Sequence, residues 1–216
     1  MRRPDARLNA RNRFLLRAVL LLPLLFAAWH GLRVPVLGAF CGAADAVWPH
    51  LFPHGLLWVE GSGSTNWIIH TGWPLALTPG QRLTVQMDTL VLGRLVAGFP
   101  LLFALCLATP GPRWRRLAWG AALLTAMSWM ALTFYAWHTL AIASGTQASF
   151  VDEHMRPLPF ALAVTAYPAW QVYLSGYLMY LAILVIPFVA PLVLWAWLFR
   201  RFVRRLVIGV RRSVGR

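Results

Sequence analysis

The stretch that decides the fold is residues 171–199, QVYLSGYLMYLAILVIPFVAPLVLWAWLF, which carries no charged side chain. A bilayer core about 30 Å thick needs roughly 20 apolar residues at about 1.5 Å per residue, so this segment is long enough to cross it. Three further stretches have the same character, at residues 14–34, 90–109 and 117–143. The sequence therefore predicts an all-α membrane protein whose residues 1–216 form one integral domain, a bundle of four transmembrane helices.

The composition of the whole chain agrees with the membrane class. Of the 216 residues, 59% are hydrophobic and 12% are charged, against about 25% charged in average soluble domains. The net charge of +14 comes from arginine alone, since the chain has no lysine, and a basic total of this size raises nucleic acid as a partner. The arginines lie beside the apolar stretches, so we expect them to bind a bilayer with anionic headgroups, and we expect no nucleic acid.

The arginine distribution also predicts the orientation. Sixteen of the 20 arginines lie in residues 1–17, in the 110–116 loop and in the tail from residue 200 onward. By the positive-inside rule these three regions are cytoplasmic. This predicts a multi-pass membrane protein with both termini in the cytoplasm, and a composition typical of G+C-rich genomes indicates a bacterial source.

The first span has a competing interpretation as a secretory signal. An arginine-rich start followed by a short apolar core is typical of such signals. Arg33 and Pro35 follow the core directly, before any small-residue cleavage site. This order favours an uncleaved membrane anchor.

Residues 48–89, between the first two spans, carry a strand pattern. Three runs, 56–60, 67–73 and 82–88, are separated by turn residues, and in the last run apolar and polar side chains alternate. We expect a small external antiparallel β segment, too small to fold alone, that leans on the membrane surface, on helix ends or on another protein. An exposed edge of such a sheet can accept a strand from a partner.

The remaining regions have simpler patterns. The 144–170 loop is polar and irregular, and its apolar 160–170 portion is expected to lie at the headgroups. Pro187 and Pro191 fall within the fourth span and are expected to bend it. The tail, residues 200–216, alternates apolar and basic positions like a cytoplasmic amphipathic helix lying on the membrane. Its membrane-surface arginines are Arg200, Arg201, Arg204, Arg205, Arg211 and Arg212.

The sequence contains no complete catalytic constellation, and three residues are weak catalytic candidates. Cys41 is a candidate thiol nucleophile, Arg94 an oxyanion-stabilising cation and His138 a base, at similar depths near the outer membrane face. Each has a structural interpretation as well. Cysteine among small residues fits close packing, arginine near a helix end snorkels to the interface, and histidine beside tryptophan fits an aromatic belt.

Metal-ligand patterns are weaker still. His50 and His54 have the four-residue spacing that places two imidazoles on one helix face, but Pro53 interrupts that helix and no third ligand lies nearby. The acidic and histidine residues at 152–154 fit a solvated loop as well as a catalytic cluster. We therefore expect no metal and no bound cofactor.

Several short patterns along the chain are similar to one known family. They are residues 12–17 (NRFLLR), 98–105 (GFPLLFAL), 108–110 (ATP), Tyr177, Pro187, Pro191, Trp195 and residues 200–202 (RRF). In this order they resemble the exosortase H-associated membrane protein family, small bacterial inner-membrane proteins that accompany a membrane-embedded sorting transpeptidase. The resemblance implies a non-enzymatic accessory role in processing exported proteins, with a membrane sorting enzyme or its substrates as partner. It supplies no catalytic residue.

Two other functions stay open from the sequence. One is a membrane-embedded thiol enzyme at the periplasmic face, a cysteine-dependent peptidase or transpeptidase with Cys41 as nucleophile. The other is a structural subunit of a different envelope complex. Replacing Cys41 with serine distinguishes the first from a scaffold, because only a thiol enzyme would lose its activity.

Overall fold

The computed structural model describes residues 5–53, 55–62, 66–74, 82–111, 114–144, 150–151, 157–158, 167–204 and 206. The elements are, in chain order, α1 (Asp5–Leu51), β1 (Leu56–Ser62), β2 (Asn66–Pro74), β3 (Arg82–Met87), α2 (Thr89–Leu95), α3 (Gly98–Ala108), α4 (Trp114–Ala143), β4 (Phe150–Val151), β5 (Pro157–Leu158), α5 (Ala169–Leu184), a π-helical segment (Val185–Val189) and α6 (Ala190–Leu198).

Within the described part, four helical stretches are long and apolar enough to cross a membrane. They are Arg11–Leu51, Thr89–Ala108, Trp114–Ala143 and Ala169–Leu198, with mean hydropathies of 1.8, 2.2, 1.5 and 2.4. Each overlaps one of the four apolar stretches found in the sequence. The predictions of a mostly helical, membrane-type fold and of a small antiparallel sheet are confirmed at this level.

The first helix is longer than the 14–34 span. It passes Arg33 and Pro35 and continues to Leu51. The reason lies in its second half, where buried side chains recur every three or four residues and form one helical face. These side chains are Leu37, Phe40, Cys41, Ala44 and Trp48. Tertiary packing along this face outweighs the local tendency of proline to end a helix.

The second and fourth stretches are interrupted helices. In the second, a turn at residues 96–97 separates α2 from α3. In the fourth, Pro187 lies in a π-helical segment, Val185–Val189, while the bend expected from Pro187 and Pro191 stays a prediction. Proline lacks an N–H and its ring conflicts with the carbonyl four residues earlier, so the helix widens by one residue there.

The chain divides into two compact units. The first consists of Met1–Leu32, Val96–Ser128 and Leu184–Arg216. In it α3 packs against α6 and the π-helical segment. Its part of α1 exposes many large apolar side chains, as a helix surrounded by hydrocarbon does. They are Leu15, Leu16, Val19, Leu20, Leu24, Phe26 and Leu32.

The second unit consists of Arg33–Leu95 and Trp129–Ile183 and contains the three-stranded sheet. The strands are antiparallel in the order β1-β2-β3. Along β3 the alternation predicted from the sequence is confirmed. Leu83 and Met87 are buried and Val85 is half-buried, while Arg82, Thr84 and Gln86 are exposed.

An aromatic cluster forms the core between the sheet, α1 and α4 in the second unit. Trp48 of α1 is fully buried and donates its indole N–H to Thr133 Oγ1 of α4 at 3.1 Å. Its ring lies 5.8 Å from that of Trp67 on β2 and 5.9 Å from that of Trp129 on α4. Phe40 stacks on Trp129 at 6.2 Å. The sheet therefore leans on the helix ends, one of the supports that its small size requires.

Parts of the 144–170 loop and of the tail from residue 200 onward lie outside the described residues. The predicted headgroup segment 160–170 is described only from Tyr167, and α5 already begins at Ala169. In the tail, Arg200, Arg201 and Arg204 are exposed. The side chains of Arg205, Arg211 and Arg212 fall outside the description, as do His54 and residues 152–154.

Candidate functional site

The second unit contains a cavity of about 390 Å³ that is largely open to the surface, between β3, α2, α4 and α5. Its lining side chains are Val85, Val91, Tyr135, His138, Thr139, Ile142, Ala143 and Met179. Most of these are apolar, and a few polar groups stand at one wall. Such a cavity suits an apolar group better than an ion.

His138, the base predicted from the sequence, lies in the wall of this cavity and is held by α5. Its Nδ1 lies 3.2 Å from Ser175 Oγ, and that buried hydroxyl also lies 3.1 Å from the Val172 carbonyl. When the single hydroxyl proton is donated to Val172, the Nδ1–H of His138 donates to Ser175 and Nε2 is left as an acceptor. A Cβ on Gly176 would lie 2.9 Å from His138 Cε1. The imidazole therefore packs closely against Ser175 and Gly176 of α5.

Tyr135 stands one turn before His138 on α4 and fixes the corner between β3 and α2. Its hydroxyl accepts a hydrogen bond from the Asp88 amide at 2.7 Å. The Asp88 carboxylate in turn accepts from the Leu90 amide at 2.8 Å, a cap on the first turn of α2. This corner is anchored to the helix that carries the candidate base.

Tyr135, Ser175 and Gly176 were not predicted as site residues from the sequence. A signal was present, because positions 135, 138, 139 and 142 have the spacing of one helix face and three of them carry polar atoms. Polar side chains aligned on one face of an apolar span normally face the protein interior.

Cys41 and Arg94 lie in other surroundings. Cys41 is 6% exposed, and a Cβ on Gly61 of β1 would lie 3.0 Å from its Sγ. It does not line the cavity, and Arg94 is exposed on α2. Within the described residues no hydrogen bond or ion pair joins Cys41, Arg94 and His138, and their joint catalytic role stays a prediction.

Metal-ligating side chains do not converge in the described part of the chain. No group of three histidine, cysteine, aspartate or glutamate side chains is placed to hold an ion among these residues. His50 is exposed in the last turn of α1.

Four long apolar helical stretches, each with large exposed apolar side chains, define the class as a helical membrane protein. The family model of the exosortase H-associated membrane protein matches residues 8–202, and the chain belongs to this family. The resemblance found in the sequence is thereby confirmed. No curated protein and no solved structure matches the chain. The matched region includes the whole second unit, most of the first and every residue of the cavity.

Proposed function

We propose that this protein is a non-enzymatic accessory protein of an exosortase-type protein sorting and processing system. The observation that carries the proposal is the family match over residues 8–202, because the family is described by its association with exosortase H. The four apolar stretches support a position inside the membrane. The partner is then the membrane sorting enzyme or one of its substrates.

The proposal includes a placement in the bacterial inner membrane. The four apolar stretches form one bundle with both termini in the cytoplasm, and the three-stranded sheet lies on the outer side. The clusters of arginine at both ends and in the 110–116 loop support this orientation. The tail binds anionic headgroups, each basic residue near the surface contributing about 1 kcal/mol. Its arginines are Arg200, Arg201, Arg204, Arg205, Arg211 and Arg212.

Purification from the native bacterium tests the accessory role. The tagged protein is extracted in mild detergent, and the proteins that accompany it are identified by mass spectrometry. An unrelated tagged inner-membrane protein, extracted in parallel, is the control for nonspecific recovery. We expect enrichment of an exosortase. Recovery of the protein alone contradicts the proposal, and recovery with a different envelope complex favours a structural subunit of that complex.

Serine substitutions test the non-enzymatic part of the proposal. Cys41 and Cys106 are both buried, so Cys106→Ser is a matched control for Cys41→Ser. An accessory protein retains its function with either substitution, provided that the variants reach normal levels in the membrane. The readout is processing of an exported substrate of the partner exosortase. If processing stops with Cys41→Ser and with Cys41→Ala but continues with Cys106→Ser, the thiol-enzyme alternative replaces the proposal.

A further inference from the structure

The outer edge of β1 is closed by helix α1. The Val59 amide donates to Asp45 Oδ1 of α1 at 3.0 Å. Two residues further along the strand, a Cβ on Gly61 would lie 3.0 Å from Cys41 Sγ, so α1 also packs closely on the face of the sheet. At Val59 the Asp45 carboxylate thus takes the place of a strand, which hinders pairing with another chain there.

The same hydrogen bond fixes the direction of the amides across the sheet. In an antiparallel pair, residues alternate between facing the partner strand and facing away from it. The backbone N–H of Val59 points toward α1 and so away from β2. The backbone N–H and C=O of its cross-strand partner Ile69 therefore point toward β3, where Ile69 pairs with Val85. The backbone N–H and C=O of Val85 therefore point inward, toward β2. Those of Thr84 and Gln86 point outward, away from the sheet.

Two contacts agree with this assignment. The Leu83 carbonyl accepts a hydrogen bond from Thr71 Oγ1 of β2 at 2.7 Å, so Leu83 faces inward like Val85. The Asp88 amide, two residues beyond Gln86, points outward and donates to Tyr135. At this end of the edge, helix α4 takes the place of a further strand.

The rest of the β3 edge is open in the described part of the chain. Thr84 and Gln86 are exposed. None of the described strands or side chains forms a hydrogen bond with their outward-pointing N–H and C=O groups. A row of unpaired amides and carbonyls in extended conformation is complementary to one kind of ligand, another extended backbone.

The cavity lies beside this open edge. Val85 belongs both to β3 and to the cavity lining. In an added strand, the residue opposite Val85 points to the same face of the sheet and so toward the cavity. A volume of about 390 Å³ is sufficient for one bulky apolar side chain.

The two ends of the edge carry charges of opposite sign, with Arg82 at the start of β3 and Asp88 directly after its end. Arg82 at the start of β3 and Arg94 on α2 are exposed, and neither makes an ion pair with another described residue. A segment with an acidic side chain near Arg82 is complementary to this charge.

We propose that the open edge of β3 binds an extended segment of a second polypeptide by strand addition. One apolar side chain of that segment fills the cavity, and an acidic residue meets Arg82. This inference goes beyond the accessory function, because strand addition requires no exosortase and is tested on the isolated protein.

Amide hydrogen exchange of the full-length protein in lipid nanodiscs tests the state of the edge. The expected result is fast exchange at Thr84 and Gln86 and slow exchange at Val85 and Met87, whose amides face β2. Equal protection of all four amides overturns the proposal, since the edge is then already covered. Protection that rises with protein concentration also overturns it, because the occupant is then a second copy of this chain.

A designed peptide tests the binding itself. The probe has ten residues, alternates valine and threonine, and carries a central phenylalanine and a glutamate at one end. Saturable binding that protects the Thr84 and Gln86 amides is the expected result. The control peptide is N-methylated at alternate residues along one edge and should not bind. Replacing the phenylalanine with glycine should weaken binding about tenfold or more, because the cavity is then left unfilled. No saturable binding at millimolar peptide overturns the proposal.

Replacing Thr84 with proline removes one backbone N–H donor from the open edge of β3. Thr84→Pro leaves the ladder between β2 and β3 intact, because the Thr84 amide faces away from β2, and proline is tolerated on such edges. Affinity for the peptide should fall at least about fivefold. Thr84→Val keeps the amide and should bind like the wild type. If both variants bind equally, strand addition is wrong. If Thr84→Pro does not fold, the comparison of the two peptides on the wild-type protein decides alone.

Discussion

At the residue scale, Trp195 joins parts of the chain that are far apart in sequence. Its indole N–H donates to Thr109 Oγ1 at 2.9 Å, and its ring stacks on Phe14 with centroids 5.5 Å apart. Phe14 also meets Phe202 at 5.3 Å. All four residues belong to the patterns that resemble the family in the sequence. The structure shows that these separate patterns form one cluster in the first unit.

Replacing Trp195 with phenylalanine removes one hydrogen bond from this cluster and keeps the stacking. The Thr109 hydroxyl still donates to the Leu105 carbonyl, so only its role as acceptor is lost. We expect the free energy of unfolding to fall by about 1 kcal/mol. Thermal unfolding in detergent measures the change. Trp197→Phe is the control, since Trp197 is 63% exposed. Equal shifts in the two variants would show that the hydrogen bond contributes nothing.

The same scale shows why the candidate site was only partly predictable. The sequence pointed to His138 as a base at a depth similar to those of Cys41 and Arg94, but its contacts with Ser175 and Gly176 join α4 to α5. The bond between Tyr135 and Asp88 spans 47 positions of the sequence. No local pattern indicates which side chains meet over such separations.

At the element scale, the close approach of α3 to the π-helical segment depends on Gly98. A Cβ at this position would lie 2.7 Å from the Ile186 carbonyl oxygen and 3.0 Å from Pro191 Cγ. The widened turn around Pro187 places that carbonyl against α3. A residue without a side chain is required where two backbones approach this closely.

The substitution Gly98→Ala should therefore destabilise the first unit. The new methyl group meets a backbone atom that cannot rotate away, so we expect a loss of about 1–3 kcal/mol. Gly93→Ala is the control within the same apolar stretch, because no heavy atom lies within 4 Å of a Cβ there. Helical propensity alone makes that control neutral or slightly stabilising. Thermal unfolding followed by circular dichroism compares the two, and a stable Gly98→Ala variant would contradict the close approach.

The sequence predicted some of the helices and strands well and others only in part. The three strands were found because alternation with period two and intervening turn residues are local signals. The predicted first span stopped at residue 34, and the small-residue stretch 38–47 only suggested that the helix continues. Its course to Leu51 depends on the face formed by Leu37, Cys41 and Ala44, which is recognisable only with its packing partners. The π-helical form of the Pro187 irregularity also depends on packing against α3.

At the scale of the whole molecule, the orientation in the membrane is open to direct measurement. The arginine distribution predicts that green fluorescent protein fused after residue 216 fluoresces, since the carboxyl terminus is cytoplasmic. Alkaline phosphatase fused after residue 80, between β2 and β3, should be active because it is exported. Alkaline phosphatase fused after residue 216 is the control and should be inactive. The reverse pattern of activities would place the sheet in the cytoplasm.

The sequence by itself determined the class of this protein, the number of apolar stretches and the location of the strands β1 to β3, but not that of β4 and β5. These properties follow from composition, from segment length and from periodicity, all of which act over a few turns or a few residues. The tertiary structure alone decided which strand edge is closed by Asp45, which edge stays open at Thr84 and Gln86, and that a cavity lies beside Val85. These features depend on contacts between distant segments, where the direction of a single amide decides whether a surface is buried or free to bind.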